Sequence, residues 1–227
     1  MSLHLLDNIV WHALAGPHAR FAVGNDAARR YAPGFSPIVG FADAARPDFT
    51  ALATYCEPGQ HFYCGAWSGP APAGWRIHTD ATMDQMVWNA GVPAAEPAVD
   101  AVRLGPEHAV QMLELVALTH PGPFGPRTPE LGEYFGVFED GRLIAMAGER
   151  MQAGDLREVS GVCTHPDFTG RGLARGLVEI LVRRQLTRGQ RPFLHVMQAN
   201  ARARALYARM GFAQHQPLAV RIVSRAP

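Results

Sequence analysis

The 227-residue chain contains no lysine: all 21 of its basic residues are arginine. Together with the abundance of alanine this reads as compositional bias, yet it excludes the glycine-rich phosphate loop that ends in lysine. Cysteine is scarce as well. Cys56, Cys64 and Cys163 form an odd set without paired C-x-x-C spacing, which argues against a disulfide framework and leaves each as a small buried hydrophobe. No group of histidines, cysteines and carboxylates has metal-ligand spacing, so no metal is expected. Apolar runs stay short of the roughly 18 residues that span a bilayer, and the first twenty residues carry no basic leader. The expectation is a soluble cytoplasmic protein with no membrane partner.

What is present is unevenly spread. From Arg142 onward there are 14 arginines against five acidic residues, whereas the first 141 residues carry seven against 15. Such a balance points to a polyanion met by the C-terminal part, a nucleic acid or a phosphorylated cofactor, with a solvated basic helix face as the plain alternative. Aromatic residues do not interleave with the arginines, so no nucleic-acid partner is expected.

The Pro- and Ala-rich segment Gly91–Asp100 has no apolar period and reads as a linker, dividing the chain into 1–95 and 100–227. After it come a short strand at "AVRLG" and a helix opened by Pro106 with an apolar face of Val110, Leu113, Val116 and Ala117. "LTHPGPFGPRTPELG" breaks all regularity and reads as a binding loop. Two hairpins follow, one turning at Asp140-Gly141 and one at "QAGD". A helix from about Leu173 to Arg188 is apolar at Leu173, Leu177, Ile180, Leu181 and Leu186 and stops at Gly189. The strand "PFLHV", a helix capped by Asn200 and ended by Gly211, and a last strand "LAVRIVSR" complete an α/β layer with a mainly antiparallel mixed sheet. The region 1–95 is apolar and aromatic enough to fold as a smaller α/β domain, but it carries no chemical motif.

Between strand and helix lies "TGRGLA". Gly170 and Gly172 let several N–H groups converge while the helix adds its positive end, an arrangement that binds phosphate oxygens or simply makes a tight connection. The glycine spacing does not fit a dinucleotide fingerprint. About thirty residues on stands "NARARALYARMGF". With Thr169-Gly170-Arg171-Gly172-Leu173-Ala174 first, and Asn200, Ala203, Leu206, Tyr207, Gly211 and Phe212 second, the stretch from about Ala101 onward resembles the GNAT superfamily of acyl-CoA-dependent N-acyltransferases. "AMAGER", "VCTHPD" and "FLHV" are similar to its glycine N-acyltransferase-like branch. Thr169 departs from the family's usual Gln or Arg.

The resemblance implies acetyl-CoA as co-substrate, its pyrophosphate held by Thr169, Gly170, Arg171, Gly172, Leu173, Ala174 and Arg175, and its pantetheine arm lying along Val162, Cys163 and Thr164 between two splayed strands. Gly161 fits a bulge there or a packing need. Tyr207 becomes the candidate acid for the leaving thiolate, against a plain packing role, and Asn200 either touches the cofactor or only caps its helix. For the amine's proton, Glu158 is the first choice of base. A four-residue "QAGD" loop would set Glu149 opposite it and raise one carboxyl pKa, whereas a one-residue slip would pair Glu149 with Arg157 on the surface. His165 and His195 are weaker alternatives. Phe124 and Arg127 of the irregular loop, with Glu149, are candidate acceptor contacts. The implied reaction is acetyl transfer to a primary amine of a small molecule or peptide by a monomer or homodimer. The competing reading is a non-catalytic acyl-CoA-binding module, with 1–95 as a degenerate second lobe.

Overall fold

The computed structural model describes residues 2–93 and 99–227, so half of the expected linker, 94–98, lies outside the described residues. The first part contributes strands β1 (Ala22–Gly24), β2 (Ala28–Tyr31), β3 (Ile38–Phe41), β4 (His61–Gly65) and β5 (Trp75–Trp88), with helices α1 (Ile9–Ala15) and α2 (Phe49–Ala53). The second contributes β6 (Val102–Leu104), α3 (Ala109–Thr119), β7 (Tyr134–Glu139), β8 (Arg142–Ala153), β9 (Leu156–Thr164), α4 (Leu173–Thr187), β10 (Arg191–Met197), α5 (Ala201–Met210) and β11 (Phe212–Arg225). No helix among the described residues is long and apolar enough to cross a membrane.

The strands form one mixed, mostly antiparallel sheet in the order β1-β2-β3-β4-β11-β5-β10-β9-β8-β7-β6. Its centre is the antiparallel pair β11–β5, flanked by β4 on one side and β10 on the other. Beyond each flank comes a parallel neighbour, β3 beside β4 and β9 beside β10, and then antiparallel strands outward. Outward from the central pair the senses run alike on both sides, except that the β9 side carries one more antiparallel strand. The division at 95–100 separates two stretches of chain but not two sheets, because β5 of the first part sits between β10 and β11 of the second.

Local chemistry explains the elements that frame the site. Asp140 and Gly141, at φ 51° and 75°, supply the positive-φ pair that a two-residue hairpin turn requires. In α4, Leu177, Val178, Leu181 and Val182 are fully buried against the sheet, each such side chain contributing about 1.5–3 kcal/mol of transfer free energy. Asn200 caps α5 by accepting from the Ala203 N–H at 3.1 Å, and Gly211 ends it at φ 116°. Arg204 of α5 donates at 2.6 Å to the buried carboxylate of Asp84 on β5, tying that helix to the first part.

Two local expectations are corrected. In α3 the buried positions are Met112 and Leu115, while Val110 is exposed, because the helix turns a different face to the sheet. The β8–β9 hairpin closes through Gly154 and Asp155 alone, with Ala153 paired to Leu156.

Candidate active site

Strands β9 and β10 run together only from Arg191↔Leu156 to Phe193↔Glu158. Past that point β10 stays with β5 and β9 with β8, so a gap opens between them. The cause is a bulge: two residues of β9, Gly161 and Val162, face the single residue Ala147 of β8. Gly161 sits there at φ 62°, a conformation that favours glycine, and a Cβ would lie 3.2 Å from the ring of Tyr134. The expected splay and bulge are therefore present.

Val162, Cys163 and Thr164 line the opened edge. Beside it, the Thr164 Oγ1 and Tyr134 Oη atoms are buried without a hydrogen-bond partner among the described residues. Polar atoms of this kind suit an amide-bearing arm laid along the strand. At the far end of β9 the chain turns through Thr169–Gly172 into Leu173, Ala174 and Arg175, the first turn of α4, whose leading N–H groups have no intrahelical acceptors. Gly170 and Gly172 lie at φ 83° and 78° with open space where a Cβ would stand. This concave backbone fits a pyrophosphate. Thr169 spends its hydroxyl proton on the Pro166 carbonyl at 3.1 Å, closing the turn. Arg171 meets Glu139 at 2.6 Å and Arg175 meets Glu179 at 2.8 Å, exposed pairs that release their arginines at little cost.

A cavity of about 760 Å³ begins at this splay, lined by Ser160–Thr164, Met197, Asn200 and Tyr207, and continues across the sheet face under the N-terminal segment 6–10 and the loop 119–124. Tyr207 packs edge-on to Phe212, and burial pushes its phenol up to about 12, so the group carries its proton throughout the physiological range. The irregular loop closes over the first part: Ser36 donates to the Pro123 carbonyl at 2.9 Å, and the Arg127 N–H donates to that of Gly34 at 2.8 Å. Phe124 reaches the cavity, edge-on to Tyr134. Arg127 does not. It stacks on Phe35 and pairs with Glu130 at 2.7 Å outside the cavity.

The two carboxylates expected to face one another lie on opposite faces of the sheet. The two-residue turn and a bulge of Arg150 and Met151 against Glu158 leave Glu149 opposite Val159. Glu149 points to the α4 side, where Arg157, Gln185, Arg188 and the Glu133 N–H satisfy it, so it is a buried structural carboxylate and not an acceptor contact. Its pair with Arg157 is buried, not on the surface.

Glu158 faces the cavity side. Arg150 grips it with Nε at 2.9 Å and Nη2 at 2.8 Å, the Met151 N–H donates to it at 3.2 Å, and His195 Nδ1 stands 2.8 Å away. Burial raises its pKa, but the Arg150 charge and the hydrogen bonds from His195 and Arg150 outweigh that and hold the carboxyl well below the usual range. A carboxylate so fixed is a poor proton acceptor, which corrects its assignment as the base. His195 lines the cavity instead. With Nδ1–H directed at Glu158, its Nε2 is the acceptor, meeting the Gln85 amide nitrogen at 3.1 Å. Its alternation with apolar neighbours on a core strand masked this position, and Gln85 and Arg150 carried no sequence signal at all. His165 is held in the turn by Arg142 at 2.6 Å and the Asp167 N–H, away from the cavity.

Comparison with known proteins agrees with this geometry. Residues 134–220 match the family described as FR47-like protein. The whole chain is similar to a GNAT-family protein from Novosphingobium aromaticivorans, at 34% identity and a TM-score of 0.91, covering 99% of this chain and 100% of that one. A GCN5-related N-acetyltransferase from Kribbella flavida shares the fold at 15% identity and a TM-score of 0.60, over 96% and 95% of the two chains. No protein of curated function matches by sequence.

Proposed function

Because this chain belongs to the GNAT family of acetyltransferases, we propose that it transfers an acetyl group from acetyl-CoA to a primary amine by direct attack in a ternary complex. The observation that carries this reading is the meeting, in one cavity, of the opened β9–β10 edge with Tyr207 and His195. The bound thioester supplies the acyl carbon. The residues of the chain do the rest. In this reading the backbone N–H groups of the bulge at Gly161 and Val162 polarise the carbonyl oxygen, and Tyr207 holds a proton for the departing sulfur. His195 Nε2 accepts the proton of the attacking amine, directly or through one water, while Glu158 and Arg150 fix its tautomer and orientation. Because the one lone pair of Nε2 accepts from Gln85 at rest, Gln85 must turn its amide first, giving up the Leu6 carbonyl, and then offers its oxygen to the new N–H, while Gln216, now donating to the Gln85 oxygen at 3.1 Å, turns with it.

The likeness of "AMAGER", "VCTHPD" and "FLHV" to the glycine N-acyltransferase-like branch makes glycine a necessary member of any acceptor panel. The test is release of free CoA thiol from acetyl-CoA over a broad panel of amines. Amine-dependent release supports the enzyme. Tight acetyl-CoA binding with release at background for every amine would replace it by the non-catalytic binding module.

A further inference from the structure

Only one end of the cavity is accounted for by the cofactor arm. The remainder runs past His195 over β5, β11 and β4 to the second parallel pair, where β3 and β4 are joined only at Ile38↔Tyr63 and Val39↔Cys64 before they too part. Its walls there include Ile38, Phe41, Tyr63, Met83, Leu218 and Val220. The loop after β3 occupies the place that the glycine turn holds after β9, and its Ala44 lines the cavity. In that loop the backbone N–H groups are already taken by carboxylates: Asp43 accepts from Ala45 and Arg46 at 3.0 and 3.1 Å, and Asp48 caps the short α2 by accepting from Ala51 at 2.8 Å. A phosphate is refused where two carboxylates stand. This end therefore has the shape of an entry slot without the chemistry for a second nucleotide.

Resting on the acetyltransferase reading, we propose that this end holds the acceptor, and that the acceptor is a primary amine on an uncharged apolar body, such as an arylalkylamine. Among the described residues the lining of the cavity offers one carboxylate, Asp7 at its rim, too few to recognise a polycation. Its one arginine, Arg150, already has its charge balanced by the two-point pair with Glu158, so a free carboxylate on the acceptor has no unpaired cation to meet. Apolar walls remain as the recognition element, and desolvation there favours the neutral, nucleophilic form of the amine. From this slot the amine approaches His195 from the side opposite the thioester arm.

The test compares phenethylamine, spermidine, kanamycin and glycine as acceptors at saturating acetyl-CoA, with wild type, Met83→Glu and Met83→Leu. The expected result is a kcat/KM for phenethylamine at least about tenfold above the other three, with Met83→Glu raising its KM about tenfold, Met83→Leu leaving it near wild type, and the acetyl-CoA KM unchanged. Leu218→Glu, in register with Met83 on the neighbouring strand, repeats the test if Met83→Glu fails to fold. Preference for spermidine, kanamycin or glycine, or indifference of the phenethylamine KM to both variants, overturns the proposal. A calorimetric titration of phenethylamine into protein saturated with CoA separates the two readings. Binding without turnover refutes the enzyme but keeps the slot, and absence of binding refutes the slot.

Discussion

His195 Nδ1 and Glu158 Oε1 lie 2.8 Å apart where the two parallel strands open to form the site, Glu158 in their last pair and His195 two residues past its partner Phe193. The contact divides labour between a group that faces the cavity and one that is locked behind it by Arg150. Replacing the two should therefore have opposite consequences. His195→Gln keeps the Arg150–Glu158 pair, so thermal stability should change by no more than about 1 kcal/mol while kcat falls on the order of 10²-fold. Glu158→Gln leaves Arg150 buried without its counter-ion and should cost about 3 kcal/mol in denaturant unfolding. Equal rate losses with no loss of stability in Glu158→Gln would return the carboxylate to the role of base.

Tyr207→Phe removes one hydroxyl from a packed aromatic position. It should lower kcat about 10²-fold and leave acetyl-CoA affinity near wild type. Since the phenol is pushed up to about 12, the wild-type rate should show no fall from its ionisation between about pH 8 and 10. A rate that is unaffected by the substitution would reduce Tyr207 to the packing role its edge-on contact with Phe212 also fills.

His18 is buried beside the Tyr31 hydroxyl at 2.9 Å, and burial, with the nearby charges of Arg157 and Arg20, lowers its pKa from 6.5 to about 4. The folded state thus binds fewer protons than the unfolded one between these values, and stability rises with pH across that window. The contribution is complete above about pH 6.5 and is lost progressively toward pH 4, amounting to about 3 kcal/mol. Melting temperatures measured from pH 7 to 4 should fall, and His18→Gln should flatten the slope. An unchanged slope in the variant would assign the acid sensitivity elsewhere, for example to Glu133, whose carboxyl is held at about 2 by Arg184 and Arg188 and acts only below its ordinary pKa.

Local signals carried most of the C-terminal half. The glycine turn, the helix it opens, the Asn200 cap and the bulge at Gly161 were legible because each is set by a few neighbouring residues. Pairing between distant segments was not. Nothing local in Trp75–Trp88 says that it lies between β10 and β11, or that its Gln85 meets His195. The fates of Glu149 and Glu158 turned on hairpin register, where a turn two residues shorter and one bulge send the side chains to opposite faces. Arg127 lay in the right loop, but Phe35, more than ninety positions earlier, claims it.

Acetyl transfer by this chain requires that the glycine turn and the opened strand edge hold acetyl-CoA, and the most direct measurement is a calorimetric titration of wild type and Gly172→Trp with acetyl-CoA at moderate salt. The wild type should bind saturably at one site. The variant, with an indole placed in the open space beside Gly172 and a residue strained at φ 78°, should remain folded by circular dichroism and lose that binding. Absence of heat and of thermal stabilisation in the wild type, or binding that persists unchanged in Gly172→Trp, would contradict the account.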